Sequence, residues 1–412
     1  MARTLALPII ALAIGAPAAT APTHLRDSLF TDDERLAIVA YWSQSGRYDA
    51  RPAGELKGTG NWVARYTSAG SVWIRELYRL RSDGKVVPTK TPEALTEQQK
   101  SWDAWVEARA QSDKWNAEAD AAKLNTAAPP ERPQPQDPGP PPEDLAAALP
   151  PPPPFFVAVT PYAHTIVFDD DVLTYEDNVA VPHKYPYYRF EQGVRSGGIR
   201  VGDRAAPYIQ RLLDHAQVSA SERRIFAAVS LLEGGFDSVN TYDTGFVSVG
   251  FIQFASLSGG SGSLGAVLRQ TKMDAPGPFQ EHFRRFGIDV TEDGALVALD
   301  PSLGIEFAGP QANLRIIHDK RLIAVFQRAG RLCEEFNVAQ LVVAKQLYYP
   351  HADELSVDVD GKVMVCKVSD VFKSEAGLAT LMDRKVNTGK LEPLGEYLYD
   401  LVTQTGITDL KE

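Results

Sequence analysis

Cysteine is nearly absent from this chain: Cys333 and Cys366 are the only two in 412 residues. That excludes a disulfide-dense scaffold, and the seven scattered histidines supply no metal-ligand spacing. The two thiols would form one disulfide in an exported protein and stay buried and free in a cytosolic one. No cofactor is expected. Positive charge is also in short supply. The 42 Lys and Arg stand against 53 Asp and Glu, a formal net charge of -11, which argues against general nucleic-acid binding because phosphate contacts need clustered cations.

Long apolar runs are missing as well. The stretch Leu5 to Ile14 follows Arg3 and is too short to span a bilayer. With Ala16-Pro17-Ala18 after it, residues 1–18 have the outline of a secretory signal cleaved before Ala19. A secreted or periplasmic protein is expected, without stable membrane insertion after signal removal; a cytosolic or phage-associated protein is the alternative. The acidic run Asp169-Asp170-Asp171, with Glu176 and Asp177, lacks the spaced loop and central glycine of an EF-type calcium site. It is expected to be a solvated turn.

Proline, by contrast, is concentrated. Thirteen of the 29 prolines lie between Pro129 and Pro154, so residues 128–154 are expected to form an extended spacer without helix or central strand. The spacer divides a unit at 24–127 from a larger one at 155–412. All six tryptophans precede it, and Trp102, Trp105, Val106 and Ala110 fall on one stripe of a helix predicted from Thr96 to Leu124. Tryptophans so spaced usually form a core; the functional reading is an accessory surface that stacks on sugar rings.

The first unit is charge-neutral, with 15 basic and 15 acidic residues. The second holds 25 against 34, a net of -9 that favours a neutral or cationic ligand. After the spacer, residues 155–190 alternate as short strands. Helices then dominate: 204–216, 220–233, 263–273, 277–286, 310–329, 334–347, 371–386 and 392–404, with a hairpin turning at Asp360-Gly361. The expected class is α+β, mainly helical.

The segment from Leu231 to Phe254, LLEGGFDSVNTYDTGFVSVGFIQF, carries the chemistry. Ser219 and Glu222 form a capping box that opens a helix, and Gly234-Gly235 closes it just after Glu233. A carboxyl at a helix C-terminus faces the negative end of the macrodipole, and partial burial disfavours its charge. Both effects raise its pKa toward that of a general acid. Asp237, in the turn after the helix, is expected to cap backbone amides; it is the other available acid.

The order Glu233-Gly-Gly-Phe-Asp, a polar loop, then Ser248-Val-Gly250-Phe-Ile-Gln253-Phe resembles the lysozyme-like superfamily. That superfamily includes goose-type lysozymes, lytic transglycosylases, phage-type lysozymes and chitosanases. The resemblance implies a lysozyme-like catalytic domain in which Glu233 is the acid and Ser248 and Gln253 contact the sugar or its N-acetyl group. Gly250 would let substrate approach the backbone. In phage-type members a second acid and then a threonine follow the glutamate; Asp243, ten residues on, and Thr244 stand there. Asp243 would orient water as base. Asn240, Tyr242 and Thr244 are further candidates for substrate contact.

Where chitosanases place their second carboxylate, this chain has Gly250 and Phe251. A second echo, Asp383-Arg-Lys-Val-Asn387-Thr-Gly389, is similar to a pattern of some peptidoglycan-cleaving members; its plain reading is a capped helix end. The function implied is cleavage of peptidoglycan, as a muramidase or lytic transglycosylase. A chitosanase and a non-catalytic glycan-binding or structural protein are the alternatives.

Overall fold

The computed structural model describes residues 28–54, 60–82, 92–178, 192–359, 361–392, 394–407 and 409–411. The signal-like segment 1–18 lies outside the described residues. About 51% of the chain is helical and the strands form small sheets, a mixed α+β, mainly helical class. Among the described residues, no helix is long and apolar enough to cross a membrane.

The chain begins with α1 (Asp32–Trp42), β1 (Tyr48–Pro52), β2 (Val63–Tyr66), α2 (Ser68–Ser82) and α3 (Pro92–Asn125). The proline-rich stretch holds α4 (Glu143–Ala148), and β3 (Phe156–Val159), β4 (Tyr162–Val167) and β5 (Val172–Glu176) follow. Next come β6 (Arg195–Ser196), α5 (Ala206–His215), α6 (Ala220–Glu233), β7 (Val239–Asn240), β8 (Ser248–Val249), β9 (Phe254–Ala255), α7 (Ser263–Asp274) and α8 (Pro276–His282). A three-stranded sheet of β10 (Ile288–Val290), β11 (Leu296–Leu299) and β12 (Glu306–Ala308) precedes α9 (Pro310–His318), α10 (Lys320–Leu332) and α11 (Glu334–Leu347). The hairpin β13 (Glu354–Val359) and β14 (Lys362–Lys367) leads to α12 (Val368–Val371), α13 (Glu375–Thr388) and α14 (Leu394–Thr405).

The proline-rich stretch is not the extended spacer expected from its composition. Glu143 to Ala148 is proline-free and reads EDLAAA, good helix formers with two acids in the first turn, and it folds as α4. Proline blocks regular structure only where it stands. The stretch also laces back over the tryptophans: Trp73 Nε1 donates to Pro150 O at 2.7 Å, Trp105 Nε1 to Gly139 O at 3.2 Å and Trp115 Nε1 to Arg132 O at 3.0 Å. Leu145 and Leu149 enter one core with Trp73, Trp102, Trp105 and Phe155. Proline-rich carbonyls cannot pair with the missing N–H groups of their own segment, so the indole donors satisfy them.

Five of the six tryptophans are buried, Trp42, Trp62, Trp73, Trp102 and Trp105, so they pack rather than present stacking faces. Strands from the two sides of the proline-rich stretch pair with each other: β1 with β4, and β2 with β3. Phe30, Ile38 and Trp42 join the larger core formed by the C-terminal part, and Trp42 Nε1 donates to Phe286 O.

The helix expected over 310–329 is broken at Asp319. Its side chain accepts from Arg321 N at 3.0 Å and caps a new helix, α10, the usual way a short carboxylate competes with the helical ladder. Ten residues of α10 are buried, including Lys320, Gln327 and Arg328. Each of these finds a partner: Lys320 Nζ donates to Gln192 O, Gln327 to Ser196 Oγ, and Arg328 pairs with Asp170.

The Asp169-Asp170-Asp171 turn is therefore not simply solvated. Asp169 meets Arg47 and Arg285, Asp170 meets Arg328, and Asp171 meets Arg331, so the turn fastens β4 and β5 onto α10. Among the described residues no group of His, Cys, Asp and Glu could hold a metal ion. Cys333 and Cys366 are both buried and free, and burial pushes the Cys333 thiol up to about 12.

Candidate active site

Helix α6 opens on the capping box of Ser219 and Glu222 and closes on Gly234, whose N–H bonds to Ser230 O. Leu231 and Leu232 are 65% and 76% exposed, so the apolar run of α6 does not bury Glu233 by itself. A second helix does. Arg224, near the start of α6, pairs with Glu375 at the start of α13, and Asn387 near the end of α13 hydrogen-bonds to Glu233. The two helices thus run side by side in the same direction, with both C-termini at Glu233.

Glu233 is half-buried, and its carboxyl is pushed above the ordinary range. Burial contributes most, the charge of Asp383 adds to it, and the charge of Asp243 adds a smaller part. The Asn387 hydrogen bond opposes them. The Asp383 to Gly389 segment is also a plain capped end, with Gly389 at φ 74°. Asn387 stands two residues before the cap, on the face toward α6.

Beyond Glu233 the chain enters a tightly held turn. A Cβ on Gly235 would collide with Ile199 O, so no larger residue fits there. Asp237 is fully buried; it accepts from Ile199 N at 2.9 Å and Arg204 Nη2 at 2.7 Å, and Arg331 Nε lies 3.3 Å away. It is committed to these partners, as expected of a residue that caps amides, and does not face Glu233 as a second acid.

The next residues form the sheet β6-β7-β8-β9. Its register puts Arg195, Asn240, Ser248 and Ala255 opposite one another, and Ser196, Val239, Val249 and Phe254 likewise. Cross-strand partners share a face, so Val239, Val249 and Phe254 enter the core while Asn240 and Ser248 lie on the other face. Ser248 itself is 5% exposed.

Asn240 Nδ2 donates to Gln253 Oε1 at 2.7 Å, and Gln253 Nε2 donates to Gly250 O at 2.9 Å. Gln253 sits at φ 57°, a strained backbone for a non-glycine residue that this network holds in place. Asn240 and Gln253, chosen separately from the sequence, are therefore one unit.

Gly250 needs a different explanation from the one the sequence suggests. It is buried at φ 93°, and a Cβ there would run into Gln340 Oε1. Gln340 accepts from Phe251 N at 3.2 Å and donates to Phe236 O at 3.0 Å, tying the two ends of the segment together. The glycine makes room for this side chain, not for substrate. Gly250→Ala is expected to cost about 1–3 kcal/mol through overpacking and backbone strain. Urea denaturation measures it, and an unchanged midpoint would refute the assignment.

The loop between β7 and β8 carries Tyr242, Asp243 and Thr244. Burial raises the Asp243 carboxyl, while the Gly245 N–H, which donates to it at 2.9 Å, and the charge of Arg75 draw it back. Tyr242 is raised by burial and by Asp243, with Glu233 acting in the same direction. Arg75, on α2, is the residue that the sequence did not point to. Its Nη1 donates to Thr244 Oγ1 at 2.9 Å, and Tyr242 packs against the tryptophan core beside α2. No local pattern announces such a contact, since 169 residues separate the partners.

Glu233, Asp243, Tyr242, Asp383 and Asn387 thus converge, with Thr244 held by Arg75 and Asn240, Ser248 and Gln253 on the adjoining sheet. Ser248 and Gly250 are buried more deeply than a substrate contact requires. Comparison of the chain with family models, curated proteins and solved structures finds no match.

Proposed function

We propose that the chain is a glycan-cleaving enzyme in which Glu233 donates the proton to the leaving glycosidic oxygen. The observation that carries this reading is a half-buried carboxyl held above its ordinary range by burial and by two neighbouring carboxylates, at the end of two parallel helices. Asp243, in the loop between β7 and β8, is the candidate to orient water or to stabilise the developing positive charge on the sugar. The amides of Asn240 and Gln253 border the site and are suited to hydroxyl or N-acetyl groups. The proposed substrate is peptidoglycan, cleaved by a lysozyme-like domain in the manner of a muramidase or lytic transglycosylase.

One observation favours a second substrate. Glu233, Asp243 and Asp383 bring three acids together, which suits the cationic glucosamine of chitosan. Incubation with peptidoglycan sacculi and, separately, with soluble chitosan, followed by mass spectrometry, separates the readings. Anhydro-sugar ends indicate transglycosylation and new reducing ends indicate hydrolysis. Release of nothing from either polymer would sink the enzymatic reading in favour of a glycan-binding or structural protein.

Arg75 supplies a sharper test of the role of Asp243. Its positive charge draws the Asp243 carboxyl down, so Arg75→Met is expected to raise that carboxyl further. A base must be ionised, and the acidic limb of the pH–rate profile should then move to higher pH. An acidic limb that stays in place would remove Asp243 from the reaction.

A further inference from the structure

On the other side of α6 from α13 lies a cavity of about 160 Å³. Its walls are apolar, formed by Ile209, Leu212 and Leu213 of α5, Phe226 of α6, Phe236 and Leu341. An apolar cavity of about 150 Å³ is large enough to take up benzene. The mouth opens to solvent past Gly202, Ala206, Arg223 and Ala227, all exposed, so a ligand has a way in.

Ser230, whose hydroxyl donates to Ala227 O, and two arginines are the polar residues lining this space, and the arginines differ. The Arg204 side chain is 9% exposed; its charge is balanced by Asp237, yet its Nε is buried without a hydrogen-bond partner. With its charge balanced and its Nε shielded by neighbouring atoms, Arg204 offers the cavity a wall and not a free cation. The Phe236 ring lies 5.9 Å from the same guanidinium and continues the apolar wall. Arg223 donates to the neutral Gln210 Oε1 at 3.1 Å, and among the described residues no carboxylate pairs with it. One cation at the mouth is therefore left uncompensated.

We propose that this cavity binds a small apolar monocarboxylate, its ring or branched chain among the leucines and phenylalanines and its carboxylate against Arg223 at the mouth. The volume fixes the size of the apolar body, and the single uncompensated charge fixes a monoanion. This site is independent of the reaction at Glu233, because binding is read directly.

Phenylacetate and its neutral counterpart 2-phenylethanol are titrated into the full chain by calorimetry. The expected result is saturable binding of phenylacetate at a single site, with the alcohol weaker by about tenfold, the worth of one charge-assisted hydrogen bond. Ala227→Phe, at an exposed position on the rim, should weaken phenylacetate by about tenfold or more by closing the mouth. Arg223→Gln, also exposed, should bring the acid and the alcohol closer together, while Glu233→Gln should bind both unchanged. Absence of saturable binding, equal affinity for acid and alcohol, or full affinity in both rim variants would overturn the proposal.

Discussion

Replacing Glu233 by glutamine is expected to lower glycan cleavage by about a hundred- to ten-thousand-fold, the usual worth of a positioned general acid. Glutamine keeps the shape and can still accept a hydrogen bond from Asn387, so the loss isolates the proton. Stability should not fall. The folded-state pKa of Glu233 lies above its unfolded value, so its contribution is fully present below the unfolded pKa and is lost as pH rises through the folded pKa. At neutral pH the variant lacks that penalty and should melt at or above the parent temperature. The parent enzyme should show the same carboxyl in its rate, with activity falling as pH rises through the raised value. Turnover of sacculi or chitosan by the variant at the parent rate would show that the acid lies elsewhere.

The second large effect concerns stability. Asp237→Ala is expected to destabilise the fold by about 3–5 kcal/mol, because it removes one partner of a buried ion pair and leaves the other charged. Among the described residues Arg204 would keep only Gly330 O, at 3.2 Å, as a hydrogen-bond acceptor, and Ile199 N would lose its own. The whole stability of a domain is about 5–15 kcal/mol, so the loss should be plain in urea denaturation. Asp237→Asn retains an acceptor and should fall between the two. An alanine variant within about 0.5 kcal/mol of the parent, the range of an ordinary surface change, would show that the pair contributes little.

Much of the local structure can be read from the sequence because it depends on near neighbours. The Ser219–Glu222 box, the glycine stop after Glu233 and the stripe of Trp102, Trp105 and Ala110 on α3 each involve residues within about two turns. Helix α11 begins and ends where periodicity places it, at Glu334–Leu347. Short-range competition was harder to see. Asp319 divides a continuous apolar pattern into two helices, and EDLAAA folds between prolines, because one cap or six favourable residues can outweigh the composition around them. The β10–β12 sheet carries no clear signal: its strands are three or four residues long, β10 and β11 are buried throughout and β12 is half-buried throughout, so alternation is lost.

The sequence by itself determined a mainly helical α+β chain without metal-ligand spacing and singled out Glu233 and its loop, since cap, charge and glycine positions are encoded within a few residues. Tertiary structure alone decided what surrounds that glutamate. It placed Asn387 and Asp383 against Glu233, gave Gly250 to Gln340, and turned a proline-rich stretch into a strap across a tryptophan core. It also brought Arg75 to Thr244. These are contacts between segments far apart in the chain, and packing of apolar faces selects them; no local preference records which partner a side chain will meet.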